Sequence, residues 1–108
     1  MAIILQVNYR PSAAQAAAPE TTRLENARRI ADTVGGLQWK VWIASDDGLR
    51  GGIYLFDDRE SARAWADGDL RPRLEGGGGT DISIRYFEVD EAASAITRAP
   101  LTRLRAAA

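Results

Sequence analysis

The chain has 108 residues, enough for one domain with a modest core, and its 45% apolar and 27% charged residues are those of a soluble globular protein. A formal net charge of −1 gives no electrostatic basis for nucleic-acid binding, and no apolar run is long enough to span a membrane. Cysteine and histidine are both absent, which excludes disulfides, thiolate nucleophiles, zinc fingers, iron–sulfur clusters, His-ligated haem and the Ser-His-Asp triad.

Met1 to Leu5 carries no basic region and soon turns polar at Gln6, so it is not read as a signal peptide, and the expected location is the cytoplasm. Residues 2–9 alternate, with Ile3, Leu5, Val7 and Tyr9 against Ile4, Gln6 and Asn8, as a strand with one apolar face does. Residues 10–19, with Pro11, Pro19 and many alanines, read as a loop with room for a short helical turn. Thr22-Arg23-Leu24-Glu25 fits a capping box, and Leu24, Ala27, Ile30, Ala31 and Val34 follow at helical spacing until Gly35-Gly36. Arg28, Arg29 and Asp32 lie off that stripe and read as a solvated face.

Gln38-Trp39-Lys40-Val41-Trp42 and Gly51-Gly52-Ile53-Tyr54-Leu55-Phe56 read as two strands joined at Asp46-Asp47-Gly48. Alternation sets Leu37, Trp39, Val41 and Ile43 on one face of the first, and Gln38, Lys40 and Trp42 on the other. Asp57 or Asp58 caps a second helix carrying Ala62, Trp65 and Ala66, and Asp69 to Glu75 adds a turn that tolerates Pro72. The glycines 76–79 lack the spacing of a phosphate-binding loop. A last strand runs from about Asp81 to Val89, and Asp90 caps a short helix through Ile96.

The order β-α-β-β-α-β predicts an α+β, ferredoxin-like domain over residues 1–96: a four-stranded antiparallel sheet with helices on one face, followed by a tail over 97–108. Ile3, Leu5, Val7, Trp39, Val41, Ile53, Leu55, Ile82 and Ile84 are expected under the helices. Ile4, Gln6, Asn8, Lys40, Trp42, Tyr54, Phe56, Arg85 and Phe87 are expected on the open face. That face is too apolar for water, so a homodimer with facing sheets is expected.

The Trp39-Lys40-Val41-Trp42 and Gly51-Gly52-Ile53-Tyr54-Leu55-Phe56 segments together resemble the YdhR-type mono-oxygenases. That family is a branch of the dimeric α/β-barrel superfamily that includes the antibiotic-biosynthesis monooxygenases. Leu5-Gln6, Ser61-Ala62 with Ala64, and Phe87-Glu88-Val89 are weaker matches. The resemblance implies a dimeric α/β barrel and oxidation of aromatic, often polyketide-derived, compounds by molecular oxygen without metal or flavin. One departure stands out: relatives often carry Thr-Glu after the second tryptophan, where this chain has Ile43-Ala44.

Such chemistry needs an aromatic pocket, and a cation that lowers the pKa of a bound hydroxyl. Lys40 and Arg85 are the candidate cations, with a dimer salt bridge as the alternative role. Tyr54 is a candidate hydrogen-bond donor, and Trp39, Trp42, Trp65 and Asn8 are candidate substrate contacts, against the alternative of core or interface packing. No cofactor and no metal is expected. A non-oxidative cyclase or isomerase on the same scaffold fits these residues too, as does a ligand-binding dimer without catalysis.

Overall fold

The computed structural model describes residues 1–101; residues 102–108 of the expected tail lie outside them. The chain forms β1 (Ile3–Arg10), α1 (Ala13–Ala17), α2 (Glu20–Thr33), β2 (Leu37–Ala44), β3 (Arg50–Phe56), α3 (Arg59–Trp65), α4 (Arg71–Gly76), β4 (Thr80–Glu88) and α5 (Glu91–Ile96). A π-helical segment, Ala66–Leu70, carries the backbone from α3 into α4 across Gly68. The strands make one antiparallel sheet in the order β2-β3-β1-β4, the ferredoxin-like arrangement, with helices on one face. No helix among the described residues is long and apolar enough to cross a membrane.

Local chemistry explains most boundaries. Asp58 caps α3 by accepting from the Ser61 N–H at 2.7 Å, and Asp90 caps α5 through the Ala93 N–H at 3.0 Å. The capping box falls elsewhere than at Thr22. Helix α2 starts earlier, behind Pro19, and no side chain caps it. The reciprocal pair is Ser12 and Gln15, where the Gln15 N–H donates to Ser12 Oγ and the Ser12 N–H to Gln15 Oε1, making α1 out of the expected loop. Ser12 Oγ also donates to the Gly77 carbonyl at 2.7 Å, which ties α1 to the end of α4.

The core under the helices is built from Ile3, Leu5, Val7, Tyr54, Phe56, Ile30, Ala62, Trp65, Leu70 and Leu74, with Ile82, Ile84 and Tyr86 packed against it. The β1 and β4 faces are as the alternation predicts. The β2 and β3 faces are not. Leu37 pairs with Phe56, but Trp39 pairs with Leu55 and Lys40 with Tyr54, so Gln38 is an extra residue in a bulge. One extra residue inverts every side chain after it. Lys40 and Trp42 therefore face the helices, with Tyr54 and Phe56, while Trp39, Val41, Ile53 and Leu55 face away. Strand β3 is apolar in both parities, so its sequence does not choose a face.

The open face is partly covered by the chain itself. Leu101 is buried against Leu55 and Ala2, with Ile4, Trp39, Val89 and Ala99 around them. The Trp39 indole N–H donates to the Pro100 carbonyl at 3.0 Å and pins this segment down. Val41 and Phe87 remain 51% and 39% exposed on that face.

Candidate active site

Lys40 leaves β2 toward the helices and lies between two aromatic faces. Its Nζ is 3.4 Å from the Trp42 ring centroid and 4.7 Å from that of Tyr54. Gly52, opposite Trp42 on β3, leaves the space for this. A Cβ there would fall 2.5 Å from Lys40 Cε and 3.2 Å from the Tyr54 ring. Lys40 has no ion-pair partner among the described residues. Burial lowers its pKa from the ordinary 10.5 to about 7, and the positive charge of Arg29 adds to the effect. Lys40 is also the only lysine among fourteen basic residues. That distinction matters chemically, because an arginine cannot give up its proton at neutral pH and a desolvated lysine can.

The amine sits beside a cleft of about 260 Å³ between α2 and β2. Ala27, Ile30 and Ala31 form the helical wall, and Leu37, Gln38, Trp39, Lys40 and Trp42 the strand wall. Two alanines facing the strand leave the gap that larger residues would fill. Both amide atoms of Gln38 are shut off from solvent and have no hydrogen-bond partner among the described residues. Each unmet group costs about 1–3 kcal/mol.

Behind Lys40, the Tyr54 ring stacks near Phe56, with centroids 6.0 Å apart, and tilts against Trp65 at 6.3 Å. Burial pushes the Tyr54 phenol up to about 12; the Trp65 indole N–H approaches and offsets part of the rise. That N–H is itself buried and closes no hydrogen bond of good geometry. Arg29 is not part of a solvated face, since its guanidinium lies 6.0 Å from the Trp65 ring and 3.5 Å from the Asp69 carboxylate. A second cleft, about 420 Å³, opens beside Trp65 between the end of α2 and α3, lined by Val34, Gly36, Ser61 and Asp69 among others.

Lys40, Tyr54, Trp42 and Trp65 are thus brought together under the helices. Arg85, Asn8 and the Trp39 indole are on the other face: Arg85 is exposed beside Phe87, Asn8 accepts from Gln6, and Trp39 holds Pro100. The expectation that Lys40 and Arg85 share one face is corrected by the bulge at Gln38. Gln38 and Arg29 were not picked out from the sequence. Strand β2 holds Lys40 as well as Gln38 among its apolar residues, so a polar residue in it does not by itself mark the bulge. No three His, Cys, Asp or Glu side chains among the described residues gather as a metal site would require.

Residues 4–100 match the family described as putative mono-oxygenase ydhR. The chain belongs to that ydhR family. Two solved structures share its fold. One is a putative antibiotic biosynthesis monooxygenase from Deinococcus radiodurans, with a TM-score of 0.60 at 15% identity, covering 81% of this chain and 91% of that one. The other is NE2512, a protein of unknown function from Nitrosomonas europaea, with a TM-score of 0.64 at 18% identity, covering 82% and 89%. A comparison with curated proteins finds no match.

Proposed function

We propose that this ydhR-family chain is a mono-oxygenase that uses no metal or flavin, and that the α2–β2 cleft is its active site. The observation that carries the reading is a lone lysine, without an ion-pair partner among the described residues, held near neutral pKa against two aromatic faces at the edge of a cleft. The substrate is an aromatic compound with an acidic hydroxyl or an activated ring methylene, flat enough for a slot between Trp42 and the alanines of α2.

Neutral Lys40 takes a proton from the substrate and becomes the ammonium that holds the resulting anion. The electron-rich anion reduces oxygen by one electron, and the radicals combine into a carbon–peroxide bond. Lys40 returns its proton to the peroxide, then removes the remaining C–H proton as the O–O bond breaks and hydroxide leaves. That hydroxide recovers the proton from Lys40 as water. In total, a methylene and O2 give a carbonyl and water: the carbon loses four electrons, and oxygen gains them. No external reductant is required. Tyr54, protonated throughout, serves as a donor toward the substrate oxygen. A two-fold dimer closing over Val41 and Phe87 completes the proposal, because these side chains are the apolar surface that the 99–101 segment leaves bare.

The test is oxygen uptake with hydroxylated naphthalenes and anthrones in the presence of EDTA. The expected result is one oxygen consumed per carbonyl formed, undiminished by chelation. Substrate rearrangement without oxygen uptake would replace this reading with the cyclase or isomerase.

A further inference from the structure

The amide of Gln38 is the polar group in this cleft that the reaction above does not use. It sits at the bulge, two positions from Lys40 along β2 and on the same wall. Its Oε1 and Nε2 are both buried and both unmet among the described residues, so a ligand in the cleft meets them when the side chain turns toward it. A solvated glutamine costs nothing to keep; one with both ends stranded persists where something else meets it. The amide oxygen only accepts and the amide nitrogen only donates, so its complement is one donor beside one acceptor.

We propose that Gln38 selects the substrate by gripping two oxygens on adjacent ring carbons, one a hydroxyl and the other an oxyanion. The hydroxyl donates to Gln38 Oε1. The oxyanion accepts from Gln38 Nε2 and lies toward Lys40, which has taken its proton. A carboxylate offers two acceptors and leaves Oε1 stranded. A lactam satisfies both ends of the amide but brings no phenol for Lys40 to deprotonate. The vicinal dihydroxy-aromatic meets all three groups. The assignment rests on the reading of Lys40 as a base, since that supplies the oxyanion.

The experiment is anaerobic calorimetric titration with naphthalene-2,3-diol, naphthalene-2,7-diol and 2-naphthol. The wild-type chain binds the 2,3-diol about tenfold or more tightly than either control, because a site built for hydrogen bonds rejects ligands that leave them unmade. In Gln38→Leu this preference collapses to within about twofold, because the 2,3-diol loses both of its contacts to the amide and 2-naphthol only the one to Nε2. Gln38→Met is the replacement if the leucine variant does not fold. A wild-type chain without the preference, or a variant that keeps it, overturns the assignment. Excluding oxygen separates this from the catalytic reading. A preference for the 2,3-diol in a chain that consumes no oxygen leaves Gln38 standing and removes the oxygenase. Oxygen uptake without the preference does the reverse.

Discussion

A desolvated ammonium is costly, and Lys40 is part-buried between the rings of Trp42 and Tyr54. Below pH about 7 the folded protein carries the charge in a desolvated place; between about 7 and 10.5 the unfolded chain binds a proton that the folded chain does not. Stability contributed by this group therefore rises with pH across that window and is lowest below it. Replacing the charge should help folding and harm turnover. Lys40→Met is expected to melt higher than wild type at about pH 6, on the order of 5 °C, by differential scanning calorimetry. The same variant should lose on the order of 10²-fold in oxygen uptake. Arg85→Met, on the opposite face, should leave uptake within about twofold, as an exposed substitution away from a site does. Tyr54→Phe should slow turnover without moving the pH dependence near 7, because its phenol does not ionise until about 12. A pH–rate series on that variant checks this. At this scale the sequence made Lys40, Tyr54, Trp42 and Trp65 legible as residue types. It did not show that Arg85 and Asn8 lie on the opposite face of the sheet.

The reason lies in the strands. Helices α3 and α5 were legible from Asp58 and Asp90, and β1 and β4 from alternation that tertiary contacts bear out. Strand β2 was legible as a strand but not by face, because a bulge is a backbone event that leaves no mark in the pattern of Trp39-Lys40-Val41-Trp42. The bulge and Gly52 act together: one turns Lys40 toward the helices, and the other lets its stem cross β3. Gly52→Ala should keep the fold, since both strands tolerate alanine, yet displace the amine. A loss of about tenfold or more in kcat with unchanged far-ultraviolet circular dichroism is the expected outcome, given how steeply misplacement costs rate. Normal turnover in Gly52→Ala would show that Lys40 does not need its present position.

Over the whole molecule, the sheet divides the protein into a helix side that holds the proposed chemistry and an open side that holds the proposed assembly. The 99–101 segment covers one end of the open side through Leu101 and the Trp39–Pro100 hydrogen bond. Trp42, 42% exposed, is at the cleft and not on that side, so a charge there is expected to affect ligand binding more than association. Phe87→Asp is the corresponding test of the open face. Light scattering should find the wild-type chain dimeric and this variant shifted toward monomer by about tenfold or more in dissociation constant, because it buries an unpaired charge. The ferredoxin-like order was legible because the alternating strands and the Asp58-capped helix carry strong local signals. How the 99–101 segment covers part of the open face is set by contacts far apart in sequence, which no local pattern records.

The central claim is that Lys40 is an amine poised to gain and lose its proton at neutral pH. Since the chain contains a single lysine, Cε-labelled lysine gives one side-chain resonance, and its chemical shift can be followed through a pH titration. The account predicts a midpoint near 7; a midpoint near the ordinary 10.5 would contradict it.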